Sequence, residues 1–333
     1  MYKFHKLMFL NCTIVGTLLA ISSYSWLSMW MGLEINLISV IPLLQNNSAY
    51  SSESMIKYFL LQVMASMILL FSIILMLNLY EYIPLYSSNF LLITLNFSLL
   101  MKMGAAPLHF WLPEIMEGLS WMSNFLMMTW QKIAPMILLF YSLQSNMVII
   151  FSISSAIIGS IMGLNQTSLR KLMAFSSINH TSWLLSCTLT SLSNWLVYFS
   201  VYTFIAWNLT LILSKFNIFY LKQLIHSMNF NKTLKYNLTI NFLSLGGLPP
   251  FMGFYPKWIT INFLMNNNYK MLTLILIITS LITLYFYTRT SMTSLMFKNN
   301  DILIINLIKF KYNFTLLFFL NILAMFIFML WIF

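Results

Sequence analysis

Apolar blocks of about twenty residues, parted by short polar stretches, run the length of the chain. A hydrocarbon core of about 30 Å takes about twenty helical residues to cross. The pattern therefore predicts eleven membrane spans, near 7–26, 27–44, 58–80, 89–111, 120–141, 146–164, 169–190, 194–214, 236–264, 270–291 and 313–333. Only Ser22–Trp26 separates the first two. The fold expected is an all-α polytopic membrane protein, with 1–333 forming a single membrane domain.

Two predicted spans are interrupted. The fourth contains Met101 to Glu114, with Gly104, Pro107 and Pro113; the ninth contains Ser244 to Lys257, with Gly246, Gly247, Pro249, Pro250 and Pro256. Proline removes a helical donor and clashes with the preceding turn, and glycine weakens the helix further. Freed backbone groups at membrane depth persist only where protein or a wet cavity satisfies them. Matching interruptions five spans apart predict two inverted five-helix repeats, 7–141 and 146–291, each with a discontinuous helix, and a C-terminal helix over 313–333.

Composition supports a membrane reading. The 333 residues are 60% hydrophobic and 7% charged, with a mean hydropathy of +0.84. The net charge of +11 would suggest nucleic acid for a soluble protein, but its distribution argues otherwise. Counting the N-terminus as connection zero, the even connections hold Lys3, Lys6, Lys57, Arg170, Lys171, Lys215, Lys222, Lys232, Lys235, Arg289, Lys298, Lys309 and Lys311, whereas the odd ones hold Lys270 alone. The positive-inside rule then puts the N-terminus inside and, after eleven spans, the C-terminus outside. The start, MYKFHKLMFL, shows neither a cleavable signal nor a transit-peptide pattern. The segment 215–235 mixes aromatic and aliphatic residues with lysine, suiting either a surface-lying amphipathic segment or a solvated basic loop. Cys12 and Cys187 sit in apolar runs and read as buried thiols.

Glu34, Lys102, Lys132 and Lys257 stand inside spans. A charge at the bilayer centre costs roughly 2.5–3.5 kcal/mol on insertion scales, so intramembrane ionisable residues mark ion or proton paths. Glu34 is the only acid within a span and could pair with a lysine. Lys102 precedes the first break, Lys132 lies mid-span, and Lys257 follows the second break. His109 and His180 are candidate relays, since imidazole titrates near neutrality. Arg170 and Lys171 read as interface anchors; Glu114 and Glu117 read as solvated groups at the basic side. No glycine-rich phosphate loop, dinucleotide fingerprint or cysteine cluster occurs in the sequence, so no redox or nucleotide chemistry is expected of this chain.

Several stretches together carry a family resemblance: 29–36 around Glu34, 102–114, 130–135 around Lys132, 164–180 and 243–258. They resemble the antiporter-like proton-channel subunits of respiratory complex I, of an invertebrate mitochondrial type. The resemblance implies two inverted five-helix units and a matrix-facing N-terminus, with the C-terminus in the intermembrane space of the inner mitochondrial membrane. Animal forms in this family lack three N-terminal helices of bacterial relatives, in keeping with eleven spans. It implies Glu34 and Lys102 as a Glu–Lys pair, Lys132 as a central lysine and Lys257 as a terminal one, in a hydrated axis driven by quinone reduction elsewhere. FMN, iron–sulfur clusters and ubiquinone would belong to other subunits. The partners implied are a neighbouring antiporter-like subunit, small membrane subunits, accessory subunits and phospholipids, with no nucleic acid. Thr181 and Ser182 depart from the family's small residues after the histidine. A cation/proton antiporter is disfavoured by three interior lysines against one acid; a structural scaffold is the remaining alternative.

Overall fold

In a computed structural model, the described residues are 2–46, 48–79, 85–228 and 232–296. The predicted span 313–333, and with it the C-terminal helix and the side on which the chain ends, lies outside them. The chain folds as α1 (Tyr2–Ser22), α2 (Trp26–Leu44), α3 (Ala49–Leu79), α4 (Leu85–Met103), α5 (Trp111–Gly118), α6 (Trp121–Met128), α7 (Trp130–Tyr141), α8 (Ser145–Gly163), α9 (Leu169–Thr188), α10 (Leu192–Phe216), α11 (Leu221–Met228), α12 (Lys232–Gly246), α13 (Phe254–Asn266) and α14 (Lys270–Met296). Among the described residues the only β pairing is an isolated bridge, Ser168 with Tyr220. Among the described residues six helices are individually long and apolar enough to cross a membrane: α1, α2, α3, α8, α10 and α14.

The predicted breaks are real interruptions, and their local chemistry is the same. α4 stops at Gly104 (φ +72°), whose N–H bonds to Met101 O at 3.2 Å while Ala105 N–H reaches back to Leu100 O at 3.1 Å. α12 stops at Gly247 (φ +80°), with Gly247 N–H to Ser244 O at 3.0 Å and Leu248 N–H to Leu243 O at 3.5 Å. Both are Schellman closures, which need a left-handed residue after the helix and so favour glycine there. Each helix restarts with proline in its first turn, Pro113 in α5 and Pro256 in α13, where a missing N–H costs no intrahelical bond.

Five helix boundaries recur at one constant sequence offset. Starts pair as Tyr2 with Ser145, Trp26 with Leu169, and Ala49 with Leu192; ends pair as Met103 with Gly246; restarts pair as Trp111 with Phe254. Close glycine contacts recur at the same offset. A methyl group on Gly16 would stand 2.8 Å from Asn36 N, and one on Gly159 would stand 2.8 Å from Asn179 N. These contacts let α1 approach α2, and α8 approach α9, as small residues do between membrane helices.

Some expectations shift. The predicted span 120–141 is two helices, parted at Thr129 (φ −116°, ψ −72°). Apolar continuity hid this interruption, because it leaves hydropathy unchanged. α3 begins at Ala49 rather than near 58, its first turns being polar but helical. Of the two cysteines, Cys187 is buried, but Cys12 is exposed on α1. Hydropathy does not separate an outward-facing apolar position from a core one.

Helix α9 forms the centre. Every residue from Leu172 to Thr188 is buried, although the run includes Ser176, Ser177, Asn179, His180, Thr181, Ser182 and Ser186. Its hydroxyls bond back along the helix: Ser176 to Met173 O, Ser177 to Ala174 O, Thr181 to Ile178 O and Ser182 to Asn179 O, at 2.6–2.8 Å. Polar groups satisfied this way tolerate burial, which would otherwise cost an unpaired hydrogen bond. Thr181 and Ser182 thus turn onto their own helix.

Candidate functional site

The three intramembrane lysines are all buried, at 6% exposure for Lys102, 1% for Lys132 and 5% for Lys257. Lys102 lies in the last turn of α4, just before the Gly104 turn. Its backbone carbonyl accepts from Gln62 Nε2 at 3.2 Å, and a further carbonyl of this break, Ala106 O, accepts from Ser154 Oγ at 2.7 Å. Glu34 on α2 is half-buried, with Oε1 buried and holding no hydrogen bond. It lies within electrostatic reach of Lys102. Among the described residues it forms no ion pair within 4.0 Å.

Beside Lys102 is a small cavity of about 10 Å³, lined by Asn36, Tyr58, Gln62, Lys102 and Gln131 among others. Its wall is a hydrogen-bonded cluster. Asn36 Nδ2 donates to Gln131 Oε1 at 3.2 Å, Gln131 Nε2 donates to Asn36 Oδ1 at 3.3 Å, and Tyr58 OH donates to Gln131 Oε1 at 3.3 Å. Sequence reasoning passed over these residues because each is neutral. Asn36 beside Glu34 and Gln131 beside Lys132 were nonetheless signals, being amides within apolar runs.

Lys132, the next residue on α7, points the other way. Its Nζ donates to Ser177 O of α9 at 3.2 Å and stands 5.8 Å from the Tyr202 ring centroid. His180 follows one helical turn along α9. Its Nδ1 is 3.0 Å from Tyr198 Oη, and its ring lies 4.8 Å from that of Tyr202. Both Lys132 and Lys257 fall within electrostatic reach of it. His180 Nε2 and Tyr202 Oη are buried without a hydrogen-bond partner.

Lys257, in the first turn of α13, folds back across the second break. Its Nζ donates to Gly246 O at 2.9 Å and Leu245 O at 3.3 Å, and stands 5.8 Å from the Trp183 ring centroid. These acceptors are the last carbonyls of α12, where the helix dipole favours a cation. The ammonium is buried against the end of α12. His109, by contrast, bonds locally. Its Nδ1 lies 3.2 Å from Pro107 O, its ring leans on Phe110, and Nε2 is buried without a partner.

Connections 2, 4, 6 and 8 converge around an open polar bowl of about 670 Å³. Lys57 joins Glu53 at 3.0 Å and Glu114 at 3.1 Å; Lys171 joins Glu117 at 2.7 Å. Arg170 donates to Leu119 O at 3.0 Å and covers the Phe219 ring. The expected anchors and solvated acids therefore meet as one ion-paired surface. Among the described residues no cluster of three or more His, Cys, Asp or Glu has metal-binding geometry.

A family profile described as NADH:quinone oxidoreductase/Mrp antiporter, TM, matches residues 23–283. The NADH-ubiquinone oxidoreductase chain 2 of Anopheles gambiae is 48% identical over 294 residues, covering 87% of this chain and 86% of that protein. In shape, the chain is similar to one from the respiratory complex I of Thermus thermophilus, with a TM-score of 0.80 at 22% identity, over 87% of this chain and 70% of that one. It is also similar to one from an Mrp complex of Dietzia, with a TM-score of 0.70 at 14% identity, over 86% of this chain and 59% of that one.

Proposed function

The chain belongs to the NADH:quinone oxidoreductase/Mrp antiporter membrane family, a subunit of an H⁺-translocating NADH:ubiquinone oxidoreductase, and on that premise we propose that it carries protons across the inner mitochondrial membrane along Glu34, Lys102, Lys132 and Lys257. The observation that carries this reading is the burial of all three lysines, two of them against α9, a polar helix at the centre of an apolar bundle. Lysine reaches that depth at high cost, and His180 is within electrostatic reach of the second and third. Each amine can hold or release one proton. The Lys132 ammonium in its present pose is held by Ser177 O, and its release of a proton toward His180 would need that bond to change. His180 serves as relay through Nε2, with Tyr198 fixing Nδ1; His109 is a weaker relay, because its hydrogen bond to Pro107 O is local. Energy comes from quinone reduction, carried out with FMN and iron–sulfur clusters in other subunits.

Residues 7–141 and 146–291 form inverted repeats in this reading, supported by the constant offset of helix boundaries and by two glycine-closed breaks. Eleven spans place the N-terminus in the matrix, supported by the basic residues of the even connections and by the convergence of four of these connections on one bowl. The outer apolar faces meet phospholipid, a neighbouring antiporter-like subunit, and small membrane or accessory subunits.

The test is Lys132→Ala in the assembled enzyme, with protons moved per NADH oxidised as the readout. We expect that ratio to fall. An unchanged ratio would leave a structural scaffold as the better reading, and sodium-dependent transport by the chain would favour cation antiport.

A further inference from the structure

Gln131 and Lys132 are consecutive on α7, so their side chains leave the helix about 100° apart. Gln131 faces α2 and α3; Lys132 faces α9. The helix that carries them is poorly held by its own backbone. It starts at the Thr129 interruption and contains Pro135, which supplies no N–H to the carbonyl of Gln131. Something other than helical continuity must fix its rotation. On the side facing α2 and α3 three hydrogen bonds do so, two reciprocal amide bonds with Asn36 and one from the Tyr58 hydroxyl, while an Asn96–Ser142 pair holds the far end of the helix. Asn36 and Tyr58 are 4% and 2% exposed, so the clamp is anchored in the core.

The same amide also closes the cavity beside Lys102. At about 10 Å³ it is near the lower limit for one water, and its wall offers the two to four polar partners that a buried water requires.

We propose that Gln131 is a positioning residue with two duties: clamped by Asn36 and Tyr58, it aims Lys132 at α9, and it walls a one-water site at Lys102. The proposal rests on the proton-path reading and adds to it a neutral residue that coordinates two of the amines. Asn36 and Tyr58 act through Gln131.

The experiment compares Gln131→Leu, Gln131→Glu and Lys132→Ala in the assembled enzyme, reading coupled NADH oxidation and protons moved per NADH. Leucine nearly fills the volume but makes no hydrogen bond; glutamic acid keeps the length and an acceptor oxygen. We expect coupled turnover to fall about tenfold for Gln131→Leu, the loss of about one hydrogen bond's worth of positioning, and to stay within about threefold of wild type for Gln131→Glu. If Lys132→Ala abolishes pumping while Gln131→Leu pumps like wild type, the clamp is refuted and the proton path stands. If Lys132→Ala pumps normally, the path itself fails. A purely packing role would be met by leucine and not rescued by glutamate. Should the variants not assemble, a density map of the unmodified complex decides. Water density within hydrogen-bonding reach of Lys102 Nζ and the Gln131 amide supports the site, and a dry cavity overturns it.

Discussion

The two helix breaks are built alike and held differently. Each closes on a left-handed glycine, and each restarts with proline in the first turn. At the first, freed carbonyls are met by neutral side chains from other helices, Gln62 on α3 and Ser154 on α8. At the second, the carbonyls of Leu245 and Gly246 are met by the lysine that follows the break. Lys102 is thereby relieved of backbone duty, and its side chain borders a cavity; Lys257 doubles as a cap on α12. The comparison teaches that one backbone device can hold a lysine in either of two roles, set by who satisfies the carbonyls.

Four experiments sharpen or break that contrast. The largest effect is expected from Lys257→Met. It strips the donor from two carbonyls, and a buried acceptor left unpaired costs about 1–3 kcal/mol. Thermal unfolding of the subunit within its complex should show a clear drop, with little for Lys102→Met; equal losses would erase the distinction. Next is Gly247→Ala, where a left-handed alanine costs about 1–2 kcal/mol. The added methyl would also stand 2.9 Å from both Cδ and Nζ of Lys257. Gly104→Ala should cost somewhat less, since its methyl meets the side chains of Leu112 and Trp111 at 2.9 and 3.0 Å rather than an ammonium held on a carbonyl. Third, Gln62→Leu and Ser154→Ala should each destabilise by about 1 kcal/mol, and the double variant should be close to additive, because the two act on different carbonyls. Strong coupling between them would mean that the first break is held as one network. Smallest is Lys57→Met at the polar bowl, whose exposed ion pairs should leave the unfolding midpoint unmoved at physiological salt.

Much of this was legible from residue order. Gly104 and Gly247 announced their turns because backbone conformation is a local property, and no neighbour is needed to make a left-handed position favour glycine. Lys102, Lys132 and Lys257 stood out because their cost of burial is set by the chain's own apolarity. The Thr129 interruption did not stand out, since a break without glycine or proline leaves the pattern intact. Nor did Gln131, Asn36 and Tyr58, because neutral polar residues acquire meaning only through their partners. Glu34 was read as the natural mate of a lysine, yet in this structure it makes no ion pair within 4.0 Å among the described residues.

The sequence by itself determined an all-helical membrane chain, the positions of its two glycine-closed breaks and the identity of its interior charges. These follow from hydropathy and backbone sterics, which act over a few residues. Tertiary structure alone decided that α9 lies at the centre, that Lys132 meets Ser177 O, and that Lys257 caps the helix before it while Lys102 is left beside a cavity. Those outcomes depend on which buried donors and acceptors reach one another across helices distant in sequence, and packing, rather than residue order, sets those distances.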